Sequence, residues 1–284
     1  MILRTLYRLP YRSCVVNSAF RSPRSKIAQT LRRRSTTRTS AMSTAAAAPP
    51  PKPELTELFS DIETRFKTTQ LGDEKWYILA LSCIATGPEP EFAAHLYQHL
   101  IAKPEFQSSE SRQHLVRRLR EALFKSICVI GVCKPIESIL SIAAIERPED
   151  RDLSQTREGW QPDEENEHKA REWFLKVYTR NASDTIGLFD AHKDFAWTSL
   201  TITYGLFLSD RQVLDDVDTQ LVVLPCIMTQ NLKLETNWHI RGTRRIGVSK
   251  EDTQVVWDSV QAFARFFELK LNKVPTVDEV EPEV

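Results

Sequence analysis

Glu235 and His239 stand four residues apart in the run Lys-Leu-Glu-Thr-Asn-Trp-His-Ile-Arg. On a helix that spacing puts both side chains on one face, one turn apart. A carboxylate beside an imidazole fixes its tautomer and raises its pKa. Such a pair can take a proton from, or return one to, a carbon next to a carbonyl, the step that decarboxylation and isomerisation share. Trp238 and Arg241 flank it, and Arg241, with Arg244 and Arg245 beyond, has the planar donor fork that grips a substrate carboxylate. Glu91 and His95 repeat the spacing, with His99 one turn on. Arg118, Arg120 and Glu121 form a further charged cluster, in which Arg118 is a candidate substrate ligand. The plainer alternative is an exposed i,i+4 ion pair with a core tryptophan and solvated arginines. His168, among Glu164, Glu165 and Glu167, reads as a solvated helix face, and His192, between Asp190 and Asp194, as an exposed helix start.

The five cysteines (14, 83, 128, 133 and 226) offer less. Thiol chemistry needs a low-pKa attacking thiolate with a resolving thiol close by. Cys226 lies in the apolar run Leu221–Met228 and reads as inert core. Cys128 and Cys133 are five apart across Gly131, the wrong spacing for a redox pair, and read as small buried hydrophobes. A second pair of ligands for zinc is missing. Neither a metal, a cofactor nor a disulfide framework is expected.

The elements that must position these residues read as helices. Leu55, Leu58, Phe59, Ile62 and Phe66 form one stripe at the helical period. Helices are predicted over about 74–86, 90–103, 111–127, 135–145, 163–180, 184–208, 211–228, 231–245 and 249–271, with a polar surface loop over 147–162. Gly247 suits the left-handed residue that ends a helix, and Ser249 with Asp252 suits the cap of the next. Strict alternation and Asn-Gly or Asp-Gly hairpin turns are missing, so the fold class is all-α.

Two stretches resemble each other. Leu-Ser-Cys-Ile-Ala-Thr around Cys83 matches Leu-Pro-Cys-Ile-Met-Thr around Cys226, and Glu91-x3-His95 matches Glu235-x3-His239. Ile130-Gly-Val-Cys-Lys134 matches Ile246-Gly-Val-Ser-Lys250 in the same order. The expectation is a bundle of two pseudo-repeated helical units, residues 54–146 and 163–273, with an acidic tail at 274–284.

Residues 1–53 carry 11 Lys and Arg and no acid, leaving 27 bases against 38 acids in residues 54–284, a net of −11. An acidic body argues against nucleic acid as a partner. No run approaches the length of a membrane span. Leu3, Leu6, Tyr7 and Leu9 interleave with Arg4, Arg8 and Arg12, the pattern of a mitochondrial targeting segment, followed by an Ala/Pro linker over 45–53. Initiation at Met42 would remove it and give a second form in the cytosol or peroxisome, although Glu-Pro-Glu-Val is not a peroxisomal tripeptide.

The helix Leu-Val-Val-Leu-Pro-Cys-Ile-Met-Thr-Gln, then Glu-x3-His, then Ile-Gly-Val-Ser-Lys-Glu-Asp, resembles the carboxymuconolactone decarboxylase and alkylhydroperoxidase D-like superfamily, best over about Leu214–Phe267. Val116–Ile142 and the Tyr204-Gly205 dipeptide are similar to its fungal-type tandem members. The resemblance implies an alkylhydroperoxidase D-like helical bundle, association into homo-oligomers, and chemistry on a small carboxylate around the helix that bears His239. It points to a cofactor-free lyase or isomerase. Hydroperoxide reduction is the alternative in that family, but the Cys-x2-Cys-x3-His of those members is replaced here by Leu232 and Glu235 ahead of His239. A non-catalytic binding or assembly module of the same fold is the third reading.

Overall fold

In the computed structural model, the chain is described at Pro50 and over residues 52–284. The expected targeting segment, Cys14 and Met42 lie outside the described residues. Among the described residues twelve α-helices follow in order: α1 (Pro53–Phe66), α2 (Trp76–Thr86), α3 (Ala93–Ile101), α4 (Ser109–Ile130), α5 (Cys133–Ile145), α6 (Glu164–Tyr178), α7 (Ala182–Gly187), α8 (Lys193–Trp197), α9 (Asp216–Met228), α10 (Lys233–Arg245), α11 (Lys250–Phe266) and α12 (Val277–Val280). Among the described residues there is no strand, so the all-α expectation holds.

Two helices with almost no polar face take the centre. Every residue of α2 is buried, and so is every residue of α9 from Asp218 to Met228. Their N-terminal ends meet where Lys75 Nζ lies 2.7 Å from Asp215 and 3.0 Å from Asp218. Further along, Cys226 Sγ faces the Ser82 carbonyl at 3.8 Å. The two therefore run parallel, side by side. The amphipathic helices wrap them, α1 turning Leu55, Phe59, Ile62 and Phe66 inward as its stripe predicts. A second, smaller apolar cluster lies on the far side of α9, where Val223 and Ile227 meet Trp173, Phe174, Val177, Tyr178 and Tyr204.

The helix starts are set by local chemistry. Ser108 Oγ accepts from Ser111 N, Asp163 from Asn166 N, and Ser249 from Asp252 N at 2.9 Å. Asp252 does not complete a box; its carboxylate instead accepts from Gln70 N at 3.2 Å. Gly247 has φ +104°, as the helix-ending role requires. Asp215 and Asp218 form a reciprocal capping box, which is why α9 begins at 216 and not near 211.

One expectation needs correcting, and two others gain detail. The predicted helix over 184–208 is broken into α7, α8 and a wide-turned stretch, Thr198–Phe207, with i→i+5 hydrogen bonding. Leu208 N, for example, bonds Thr203 O at 3.0 Å. Apolar composition alone does not distinguish these windings. The loop over 147–162 is not merely superficial. Asp150 in it is fully buried and takes a bidentate ion pair from Arg112 (2.6 and 2.9 Å). The acidic tail folds back: α12 is capped by Thr276 with Glu279 and buries Val277 and Val280 completely.

Candidate functional site around His239

Four elements bring polar atoms together at His239. Helix α10 supplies His239, and α9 supplies Gln220, a lone amide in an otherwise apolar run. The C-terminal end of α6 supplies Tyr178, and the wide-turned stretch supplies Tyr204. Gly242 allows the approach of α10 to α6, because a Cβ there would fall 2.6 Å from Val177 Cγ1. The Thr243 hydroxyl donates to His239 O at 2.7 Å and ties that turn of the helix.

The imidazole is 6% exposed. Its Nδ1 faces Gln220 Oε1 at 3.1 Å. With the amide oxygen as acceptor, Nδ1 carries the proton and Nε2 keeps its lone pair. The Tyr178 ring stands edge-on to the imidazole at 6.3 Å and to Trp238 at 6.0 Å. The phenols of Tyr178 and Tyr204 share a hydrogen bond of 3.0 Å. Burial lowers the His239 pKa to about 4, so the ring is neutral at pH 7. Burial also pushes Tyr178 up to about 12. The rise in His239 basicity anticipated from Glu235 is therefore reversed. No hydrogen bond joins the two, and Gln220 does the orienting. Glu235 is half-buried and its charge bears on the Tyr178 phenol instead.

The other candidates are placed apart from this cluster. Arg241 is buried, with Nη1 2.8 Å from Glu283 of the folded-back tail. Arg118 is an internal clamp: its guanidinium donates to the Tyr77 hydroxyl (2.7 Å), Glu74 O (3.0 Å) and Asp218 (3.2 Å). Glu91 is exposed in the 3-10 turn Pro90–Phe92, outside the helix that carries His95. His95 sits edge-on to Phe92 at 5.5 Å, its pKa lowered by burial and then by Lys52. His99 stands against Phe59 and Trp76. Arg157, not anticipated, binds Glu121 at 2.6 and 2.7 Å. Arg120 goes to Asp152 O at 2.8 Å.

Three of the thiols are not activated. Burial holds Cys83 well above the ordinary thiol range and pushes Cys128 and Cys226 up to about 12. Cys133 departs from the expectation of a buried residue and is exposed at the start of α5. Among the described residues no group of three His, Cys, Asp or Glu side chains is arranged to hold a metal ion. Among them, too, no helix is long and apolar enough to cross a membrane.

Two clefts border other parts of the surface. One of about 680 Å³ is lined by Trp160, Lys169, Ser209, Asp210, Arg211 and Gln212, among others. One of about 160 Å³ lies between Glu63, Phe66, Asp73, Trp76 and Glu105. Neither is lined by His239, Glu235, Trp238, Arg241, Arg118, Glu91 or His95.

Sequence reasoning missed Gln220, Tyr178 and the folded-back tail. A single amide inside Thr-Gln-Leu-Val-Val-Leu-Pro-Cys-Ile-Met was the available signal for the first, since a polar group buried there must find a partner.

No family model matches the chain, and no solved structure does. Among curated proteins the chain is similar to Peroxisomal protein 2 of Schizosaccharomyces pombe (strain 972 / ATCC 24843), at 24% identity over 136 residues. That stretch is 47% of this chain and spans 62% of the relative's length.

Proposed function

We propose that the chain is a carboxymuconolactone decarboxylase-like protein, a cofactor-free lyase or isomerase that moves a proton on a small carboxylate, with His239 as the proton carrier and Gln220 as its positioning residue. The observation that carries this reading is the Nδ1–Gln220 contact at 3.1 Å. It leaves Nε2 of a neutral, buried imidazole as an acceptor beside Tyr178 and Trp238. A neutral ring accepts a proton without first shedding one; the same burial disfavours the imidazolium, whose Nδ1–H would donate to Gln220 Oε1. Glu235 has no bond to the ring and enters only through Tyr178. Turnover should be sought as carbon dioxide release or solvent-deuterium uptake across a panel of small β-keto and γ-lactone carboxylates. His239→Ala should cut the rate at least ~100-fold while the helical circular dichroism is kept. Equal rates in the two proteins would remove the catalytic claim.

The pseudo-repeat belongs to the same proposal. Lys75 meets Asp218 and Ser82 meets Cys226, so the two helices matched in the sequence run side by side, which supports a repeat. For compartment, the basic leader supports the mitochondrion. The Schizosaccharomyces pombe relative carries a peroxisomal name, which supports the peroxisome for a form begun at Met42.

A second reading, a binding or assembly module without chemistry, is favoured by one observation. Val132 at the N-cap of α5, with Ile136 and Leu140 within it, forms an exposed apolar stripe at four-residue spacing. Such a stripe supports the homo-oligomer that the family resemblance implies. The peroxidase reading has the least support, because burial raises the thiols that it would need lowered.

A further inference from the structure

The folded-back tail ends on an arginine cluster whose charges do not balance. Arg241 Nη1 donates to Glu283 Oε2 at 2.8 Å. Arg245 Nη2 donates to Glu283 O at 3.0 Å and to Asn181 Oδ1 at 2.8 Å, and its Nη1 to Tyr178 O at 2.7 Å. Arg180 Nη2 donates to the backbone oxygens of Glu283 (2.8 Å) and Val284 (3.0 Å). Asn237 adds a bond of 3.3 Å to the other Glu283 oxygen. Of the three arginines only Arg241 reaches the Glu283 carboxylate, Arg180 and Arg245 holding backbone oxygens, so three guanidinium groups stand around one side-chain carboxylate, and an acceptor at Val284, charged or not, still leaves positive charge in excess. By contrast the neighbouring Arg244 is matched by a bidentate pair with Glu281 (2.9 and 2.8 Å).

Two donors in the cluster are left unused. The Nε–H groups of Arg241 and Arg245 are both buried and without a partner. A buried donor of a charged group left unmade is costly, and it marks where an acceptor is missing. Desolvation first, and then repulsion from Arg241 and Arg180, brings Arg245 down to about 10.

The tail is built in two parts. Its anchor is firm: Val277 and Val280 are fully buried, the Trp257 indole donates to Pro275 O at 3.0 Å, and Thr276 and Glu279 cap each other. Its end is more open, the Glu283 side chain being 48% exposed. A carboxylate open to solvent on one side can be exchanged for another carboxylate.

We propose that Arg180, Arg241 and Arg245 form a binding site for a small carboxylate, occupied in cis by Glu283 and vacated when the segment after Val280 lifts. An incoming carboxylate takes the Glu283 position on Arg241 and brings a second acceptor for the idle Nε–H groups. This rests on the small-carboxylate part of the proposed function but not on its chemistry, since Arg241 lies two residues along α10 from His239.

Glutarate serves as the probe, with calorimetric titration and amide hydrogen exchange as readouts. Glu283→Gln should bind glutarate at least tenfold more tightly than the native chain. Adding Arg241→Gln, or the gentler exposed change Arg180→Gln, should return the affinity to the native level or below. Glutarate should raise exchange at residues 281–284 and leave Val277–Val280 protected. His239→Ala should keep glutarate binding, which separates failure of this site from failure of the catalysis. Glu283→Gln binding no more tightly than native, or binding that survives Arg180→Gln and Arg241→Gln alike, would overturn the proposal.

Discussion

A buried, neutral histidine has a consequence for stability that can be worked out at the level of the single residue. The unfolded imidazole takes its proton near pH 6.5, the folded one only near 4. The unfolded state therefore binds more protons between those values, and stability falls as pH drops through that window. Above about pH 6.5 the contribution is fully present, and roughly 3 kcal/mol is lost by pH 4. Urea unfolding of the native chain and of His239→Gln at pH 7 and pH 4.5 should show a steeper acid loss in the native chain. Parallel pH profiles would mean the ring is not buried as described. Of the residues at this centre, His239 was legible from its motif, whereas Gln220 was not. Its partner lies 19 residues away on another helix, and no local rule of spacing links the two. Glu235 illustrates the opposite failure. The i,i+4 rule brings side chains to one face, but says nothing about which of them a tertiary neighbour will claim first.

For the elements, the legible features were those fixed by local chemistry. The apolar stripe of α1, the Ser249 cap and the positive φ of Gly247 all follow from short-range rules. The winding of Thr198–Phe207 does not, because it is set by what packs on it. Gly205 lies against Asn166, which is fully buried and donates to Thr201 O at 3.0 Å. A Cβ at position 205 would fall 2.5 to 2.9 Å from three atoms of that amide. Asn166 is fully buried and tied to Thr201 O, so Gly205→Ala should destabilise the chain by about 2 kcal/mol. Chemical denaturation checks this, and a change below about 0.5 kcal/mol would mean the α6 contact is looser than described. The stripe on α5 makes a prediction of the same kind. If it is an interface between copies, Ile136→Lys with Leu140→Lys should lower the mass measured by light scattering to that of the monomer without altering the helical spectrum. A native chain already monomeric would remove the association claim.

The molecule as a whole is tied together by charges buried between distant segments. Lys125 is 0% exposed, and its ammonium donates to Leu208 O (3.0 Å) and Asp210 O (2.8 Å), with Glu121 at 3.7 Å. Arg157 completes the knot by binding Glu121 and the carbonyls of Leu206 and Phe207. These contacts stitch α4 and the loop after α5 to the end of the wide-turned stretch. Burial brings Lys125 down to about 7. Lys125→Met would leave Arg211 Nη1 as the remaining donor to those carbonyls and take the ammonium away from Glu121, and a loss of about 2 kcal/mol is expected in denaturant unfolding. An unchanged or raised stability would show that the ammonium is a net burden there. None of this was readable in advance, since Arg117, Arg118, Arg120 and Lys125 on α4 look alike in sequence. Which of a helix's cations is drawn inward depends on which carbonyl and carboxylate oxygens the rest of the chain presents to it.

The most direct test of the account is a nitrogen-15 titration of the His239 ring in the native chain, assigned by comparison with His239→Gln. The account predicts a neutral imidazole with its proton on Nδ1 down to about pH 4, and a Gln220→Leu variant in which that tautomer is no longer fixed. A midpoint near 6.5, or a native ring with its proton on Nε2, would contradict it.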